Sequence, residues 1–158
     1  MPTITPNLWF DTEALEAAEH YCSIFPNSEI KNVLHYTDAG PREPGMVLTV
    51  DFVLDGQPVT AINGGPEFTF DEAISLLITC KDQAEVDHYW AALTADGGSE
   101  GPCGWLKDRY GLSWQVVPEG MDALFQDPDP ARAARAMKAM MTMMKLDLAT
   151  VQAAADAA

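Results

Sequence analysis

Two short turn signals constrain this chain more than any other feature. Asp55-Gly56 joins the run Met46–Leu54 to the run Gln57–Asn63, and Asp108-Arg109-Tyr110-Gly111 joins Gly104–Lys107 to Leu112–Pro118. A tight turn supplied with glycine between two apolar, strand-favouring runs is a hairpin signal. Each hairpin is preceded by the same succession of a strand and then a helix. In the first half Ile4–Phe10 reads as a strand. Ala14, Ala17, Ala18, Tyr21, Cys22 and Phe25 then form a helical stripe, with Asp11 or Thr12 as expected cap and Pro26-Asn27 as stop. Glu29–Tyr36 follows as another strand, and 38–45 is a loop rich in Gly and Pro.

The second half begins again with Ile74–Cys80. Asp82 and Glu85 offer a capping box, Val86, Tyr89, Trp90 and Leu93 a buried helical face, and Gly97-Gly98 a stop. A unit repeated within one chain outranks any short motif as a guide to architecture. The reading is therefore α+β: two βαβββ-like modules forming curved mixed sheets around a cleft, plus a C-terminal helical extension. Within one domain, the first module spans 3–66, a shortened second module 71–120, and the extension 121–158. Asp129 and Pro130 start a helix expected to reach Lys145, with Met137, Met140, Met141 and Met144 as one apolar stripe. The alanine-rich tail from Ala149 is expected to fray.

Composition narrows the function classes. Twenty-four acidic and nine basic side chains give a formal net charge of −15. Such a field repels a phosphate backbone, which argues against nucleic acid as a partner. No apolar run approaches the roughly 18 residues of a membrane helix, so no membrane partner and a cytoplasmic location are expected. Cys22, Cys80 and Cys103 are odd in number without CxxC spacing, the mark of free thiols. Cys22 and Cys80 are expected in the core and Cys103 in an exposed Gly-Pro-Cys-Gly loop. No histidine lies near Cys103 to activate it as a nucleophile, and His20, His35 and His88 form no metal-binding pair.

Several segments together resemble the PhnB-like branch of the vicinal oxygen chelate superfamily, a branch often labelled 3-demethylubiquinone-9 3-methyltransferase. They are Thr5-Pro6-Asn7-Leu8-Trp9-Phe10, Ala17-Ala18-Glu19-His20-Tyr21, Ile24-Phe25-Pro26-Asn27-Ser28, Leu54-Asp55-Gly56-Gln57, Asn63-Gly64-Gly65-Pro66-Glu67-Phe68 and the Gly104–Pro118 hairpin. The resemblance implies paired modules and a homodimer. In metal-using relatives it places ligands on the first and last strands of each module, which here fall near Pro6, Asn63, Ser75 and Gln115. Proline offers no side-chain donor, and Ser, Asn and Gln are neutral, whereas a divalent ion normally takes His, Cys or carboxylate. No metal and no cofactor are expected at that position. The methyltransferase label implies a glycine-rich turn after a strand, but Asp11-Thr12-Glu13 contains none.

Superfamily position and strand alternation together nominate Trp9, Thr49, Asn63, Trp105 and Gln115 as ligand-binding residues; no catalytic residue is nominated. The expected role is binding of a small amphipathic molecule in the cleft without a metal. The alternative is an enzyme of small-molecule metabolism, glyoxalase-like or of the ubiquinone-methyltransferase type.

Overall fold

The computed structural model describes residues 1–157, which divide into two compact units, Met1–Phe70 and Asp71–Ala158. The first unit runs β1 (Asn7–Phe10), α1 (Ala14–Ile24), β2 (Glu29–His35), β3 (Val47–Leu54) and β4 (Gln57–Asn63). Its sheet has the order β1-β4-β3-β2, with β1 parallel to β4 and the other pairs antiparallel. Asp55 (φ 45°) and Gly56 (φ 81°) both adopt left-handed conformations, which matches the right-handed twist of the strands the hairpin joins. Alternation then sorts the sheet into two faces. Leu8, Phe10, Val50, Phe52, Leu54, Val59 and Ala61 are buried, and so are Ala14, Ala17, Ala18 and Tyr21 of α1. The opposite face carries a row that crosses all four strands in register: Trp9, Ile62, Thr49 and Leu34.

The second unit repeats the plan: β5 (Ser75–Cys80), α2 (Gln83–Thr94), β6 (Ser99–Glu100), β7 (Trp105–Lys107) and β8 (Ser113–Pro118), in the order β5-β8-β7-β6. The α+β reading and the repeat therefore hold, and the short β6 completes the second copy. Asp82 accepts a hydrogen bond from the Glu85 amide, while Glu85 accepts from the Lys81 amide. The forward bond has the usual N-cap to N3 geometry, while the return bond reaches the amide one residue before the cap.

Local expectations differ from the structure in four places. β1 begins at Asn7 and not Ile4, although the Thr60 amide still donates to the Pro6 carbonyl. Helix α1 is capped by neither Asp11 nor Thr12; its Ala14 amide donates to Asn63 Oδ1 at 2.9 Å, a partner 49 positions away. The helix expected to reach Lys145 ends at Met140 as α4 (Pro130–Met140), with α3 (Met121–Phe125) before it and α5 (Leu148–Asp156) after it. The alanine-rich tail is thus a helix, because Asp147 caps it and Val151 and Ala155 are buried. Since α4 stops at Met140, Met144 lies beyond it, and Met137 and Met141 are exposed; the methionines form no single packed stripe.

The extension has its own core of Met121, Leu124, Ala136, Leu146, Val151 and Ala155. The Arg135 guanidinium closes α4 against α5 by donating twice to the Ala155 carbonyl, at 2.7 and 3.0 Å. Side chains and backbone also fasten the extension to the second module. Gln83 donates to the Leu146 carbonyl and accepts from the Leu148 amide, Cys103 N and Gly104 N donate to the Met143 and Met144 carbonyls, and Lys145 pairs with Asp87 at 2.7 Å. No described helix is long and apolar enough to cross a membrane.

Candidate ligand-binding site

One face of the second sheet is turned toward α2 and packed; the other looks onto the extension. On β8 the residues Trp114 and Val116 are buried, whereas Gln115 and Val117 point the other way. Register aligns Leu77 of β5, Gln115 of β8 and Trp105 of β7 in one row, with Thr79 and Val117 in the next. Above these rows stand Met121, Asp122 and Phe125 from α3, Met140 from α4, and Leu146. Sheet and extension enclose a pocket of about 520 Å³, with Cys103 on its rim. This volume suits a small organic molecule, and the mix of an apolar wall with a few placed polar groups is typical of ligand pockets.

Polar chemistry inside the pocket centres on Gln115. Its Nε2 donates to Ser75 Oγ at 2.9 Å, which orients the amide. Among the described residues its Oε1 has no hydrogen-bond partner, so a ligand donor can be accepted there. The indole of Trp105 is half-buried and supplies a flat apolar wall. A second pocket of about 300 Å³ shares Trp105 and is lined by Glu72, Lys107 and Ser113 among others. Ser113 is buried and its Oγ has no partner, while Lys107 pairs with Glu72 at 2.5 Å.

Of the five nominated residues the structure brings together two, Trp105 and Gln115. Trp9 and Thr49 lie in the first unit, in the row that crosses its sheet. The Trp9 ring rests on Gly64, where a Cβ would come within 2.3 Å of it, and its Nε1 donates to the Gly65 carbonyl. Asn63 belongs to the opposite, helix-facing side of that sheet. It is 1% exposed, and its amide is engaged by the Ala14 N–H and, through Nδ2, by the Val47 carbonyl at 3.0 Å.

Sequence reasoning missed the walls contributed by Met121, Asp122, Phe125 and Leu146. Nothing in local periodicity says that the chain beyond Pro118 returns to roof the sheet it has just completed. It also missed Asp108, a buried carboxylate that accepts from the Tyr110 and Leu112 amides and from Trp114 Nε1. The turn it organises holds β7 and β8 together behind the pocket. The sequence offers a signal for it only in retrospect, an aspartate two residues before Tyr110 and six before Trp114.

All three cysteines are free thiols, Cys80 buried and Cys22 and Cys103 half-buried. Burial, reinforced by the charges of Glu85 and Asp82, pushes the Cys80 thiol up to about 11, and burial together with Glu29 raises Cys22. Both are poor thiolates at neutral pH. Cys103 sits in the left-handed region (φ 57°) with its Sγ 3.7 Å from Met141 Sδ.

The residues at the superfamily's metal positions do not suit a divalent ion. Ser75 and Gln115 are neutral and hydrogen-bonded to each other, Asn63 is committed to backbone groups, and Pro6 has no donor. Among the described residues no three His, Cys, Asp or Glu side chains converge.

Comparison with known proteins places this geometry. The sequence pattern of the 3-demethylubiquinone-9 3-methyltransferase family matches residues 2–117. A PhnB protein from Bacillus cereus, described with the same methyltransferase wording, is similar at 34% identity and a TM-score of 0.66, over 74% of this chain and 99% of its own. A protein from Pseudomonas aeruginosa shares the fold at 21% identity and a TM-score of 0.61, over 75% of this chain and 98% of its own. The fosfomycin resistance protein FosX from Listeria monocytogenes, in a structure with Mn(II) and sulfate, shares it at 11% identity and a TM-score of 0.53, over 79% and 95%. No curated protein matches the chain. With the family pattern covering 2–117, both repeats in place and these structures superposing on them, the chain belongs to the PhnB-like, 3-demethylubiquinone-9 3-methyltransferase family of the vicinal oxygen chelate superfamily.

Proposed function

We propose that this protein binds a small amphipathic molecule, without a divalent metal, in the pocket between the second sheet and the extension. The observation that carries the reading is the row Leu77–Gln115–Trp105, which presents an apolar wall and one oriented amide to an open volume of about 520 Å³. The amide is held by Ser75, so little ordering is lost when a ligand engages it. The family's fold carries over and its methyltransferase wording does not, because the turn from β1 to α1 holds no glycine and the Glu13 carboxylate accepts from the Thr12 amide there. Molecules that co-purify with the protein, identified by mass spectrometry from a native complex, give the candidates. Trp105→Ala is expected to weaken binding of such a molecule about 10-fold or more, and Gln115→Ala about 5-fold, on the scale of a lost apolar wall and one hydrogen bond. Unchanged affinity in both variants, by calorimetry, sinks the reading.

We propose also that the protein works as a homodimer. Supporting this are apolar side chains left bare: Leu34 in the row across the first sheet, and Met137, Met141 and Met144 at the extension. Exposed apolar surface on either unit tends to be covered by a partner, and a twofold pair is the commonest solution. Light scattering at micromolar concentration is expected to give twice the 17.2 kDa chain mass. A Leu34→Lys or Met141→Lys change is expected to shift it toward one chain. A monomeric mass for the unaltered protein refutes the dimer.

A further inference from the structure

The pocket is lined from two parts of the chain, one inside the residues that the family pattern matches and one beyond them. Leu77, Thr79, Cys103, Trp105, Gln115 and Val117 lie within the segment that the family pattern covers. The remaining lining residues, from Pro118 to Leu146, come from beyond it. The Bacillus cereus relative superposes over 99% of its length on only 74% of this chain, so a comparable stretch here has no counterpart in that protein. Both charged groups of the pocket, Glu119 and Asp122, belong to this added segment, and no Lys, Arg or His lines the pocket.

From this asymmetry we infer that the C-terminal extension makes the pocket selective for a lipophilic organic cation. The inference rests on the reading of the pocket as the binding site. Three features agree on the sign of the charge. Glu119 and Asp122 are exposed at the mouth, where they set a negative local potential with no cation in the lining to cancel it. Trp105 presents an indole, whose ring face attracts cations. Gln115 Oε1 is an acceptor without a partner, and Met121 and Met140 add polarisable thioethers. A ligand anion meets no donor from a charged side chain here, and it also approaches a chain of net charge −15. The apolar residues Leu77, Val117, Phe125 and Leu146 call for a hydrocarbon or aromatic body around that positive charge.

Tetraphenylphosphonium and tetraphenylborate are near-isosteric ions of opposite sign and serve as the probes. Calorimetry on the full chain at low salt is expected to show the cation bound at least 10-fold more tightly than the anion. Raising the salt is expected to narrow the ratio, since the two carboxylates are solvent-exposed. In the surface variant Glu119→Gln/Asp122→Asn the ratio is expected to fall to about 2-fold or less, with an unchanged melting temperature. Equal binding of both ions, abolished by Trp105→Ala, overturns the charge selectivity and leaves the pocket as the binding site. A cation preference that persists in the double variant assigns the selectivity elsewhere and overturns the role of the extension. Binding of neither ion, or binding indifferent to Trp105→Ala, overturns this inference together with the reading it rests on.

Discussion

Replacing Asp108 with alanine is expected to remove about 3–5 kcal/mol of stability, among the largest single losses available in this chain. The carboxylate is 2% exposed and accepts from Tyr110 N at 2.9 Å, Leu112 N at 3.1 Å and Trp114 Nε1 at 2.8 Å. Removing it takes the acceptor from two buried donors, Leu112 N and Trp114 Nε1, and each such donor costs on the order of 1–3 kcal/mol. Asp108→Asn keeps the shape but turns one acceptor into a donor facing another donor, so a loss of about 2–3 kcal/mol is expected. Urea denaturation followed by tryptophan fluorescence measures both changes. A loss below about 1 kcal/mol for the alanine variant means that the turn is held by the chain around it and not by this carboxylate.

A comparable effect is expected at Asn63. Its side chain joins the start of α1 to β3, accepting from the Ala14 amide and donating to the Val47 carbonyl. Asn63→Ala loses the cap and leaves both backbone groups without this partner, for an expected cost of about 2–4 kcal/mol. Asn63→Asp separates the two contributions. It retains an acceptor for Ala14 but sets a buried carboxylate against the Val47 oxygen, so it is expected to be at least as destabilising as alanine. If the aspartate variant instead matches the parent in denaturation midpoint, the bond to Val47 contributes little and the cap alone explains the residue.

These two residues also show where sequence reasoning succeeds and where it stops. Runs, turns and helical stripes are local, and so β3 and β4 are legible to within a residue of their observed limits. Superfamily position points to Asn63 as a ligand-facing residue, whereas the structure commits its amide to α1 and β3. Alternation puts Asn63 on one face with Val59 and Ala61, but only the packed structure says that this face meets the helix. The cap of α1 comes from 49 positions away, where no scan of neighbouring residues can find it. The division of the extension into three helices has the same origin. Met137 to Met144 has helical spacing throughout, yet the chain turns at Met141, where the Thr142 and Met143 amides return to the Ala139 and Met140 carbonyls. Gln115 and Trp105 are nominated with the help of superfamily position, and the β7–β8 register sets the two opposite each other on one face of the second sheet.

The late position of the pocket's roof in the chain has a consequence during synthesis. The sheet that carries Leu77, Trp105 and Val117 is complete at Pro118, while Met140 and Leu146 follow more than twenty residues later. A nascent chain paused between those points exposes the apolar face of the finished sheet, with Gln83 not yet joined to Leu146 and Leu148. Partly emerged chains with bare apolar surface are the species that aggregate. Ribosome-bound fragments ending near residue 125 should therefore engage general chaperones more strongly than fragments that extend past the Asp156 end of α5.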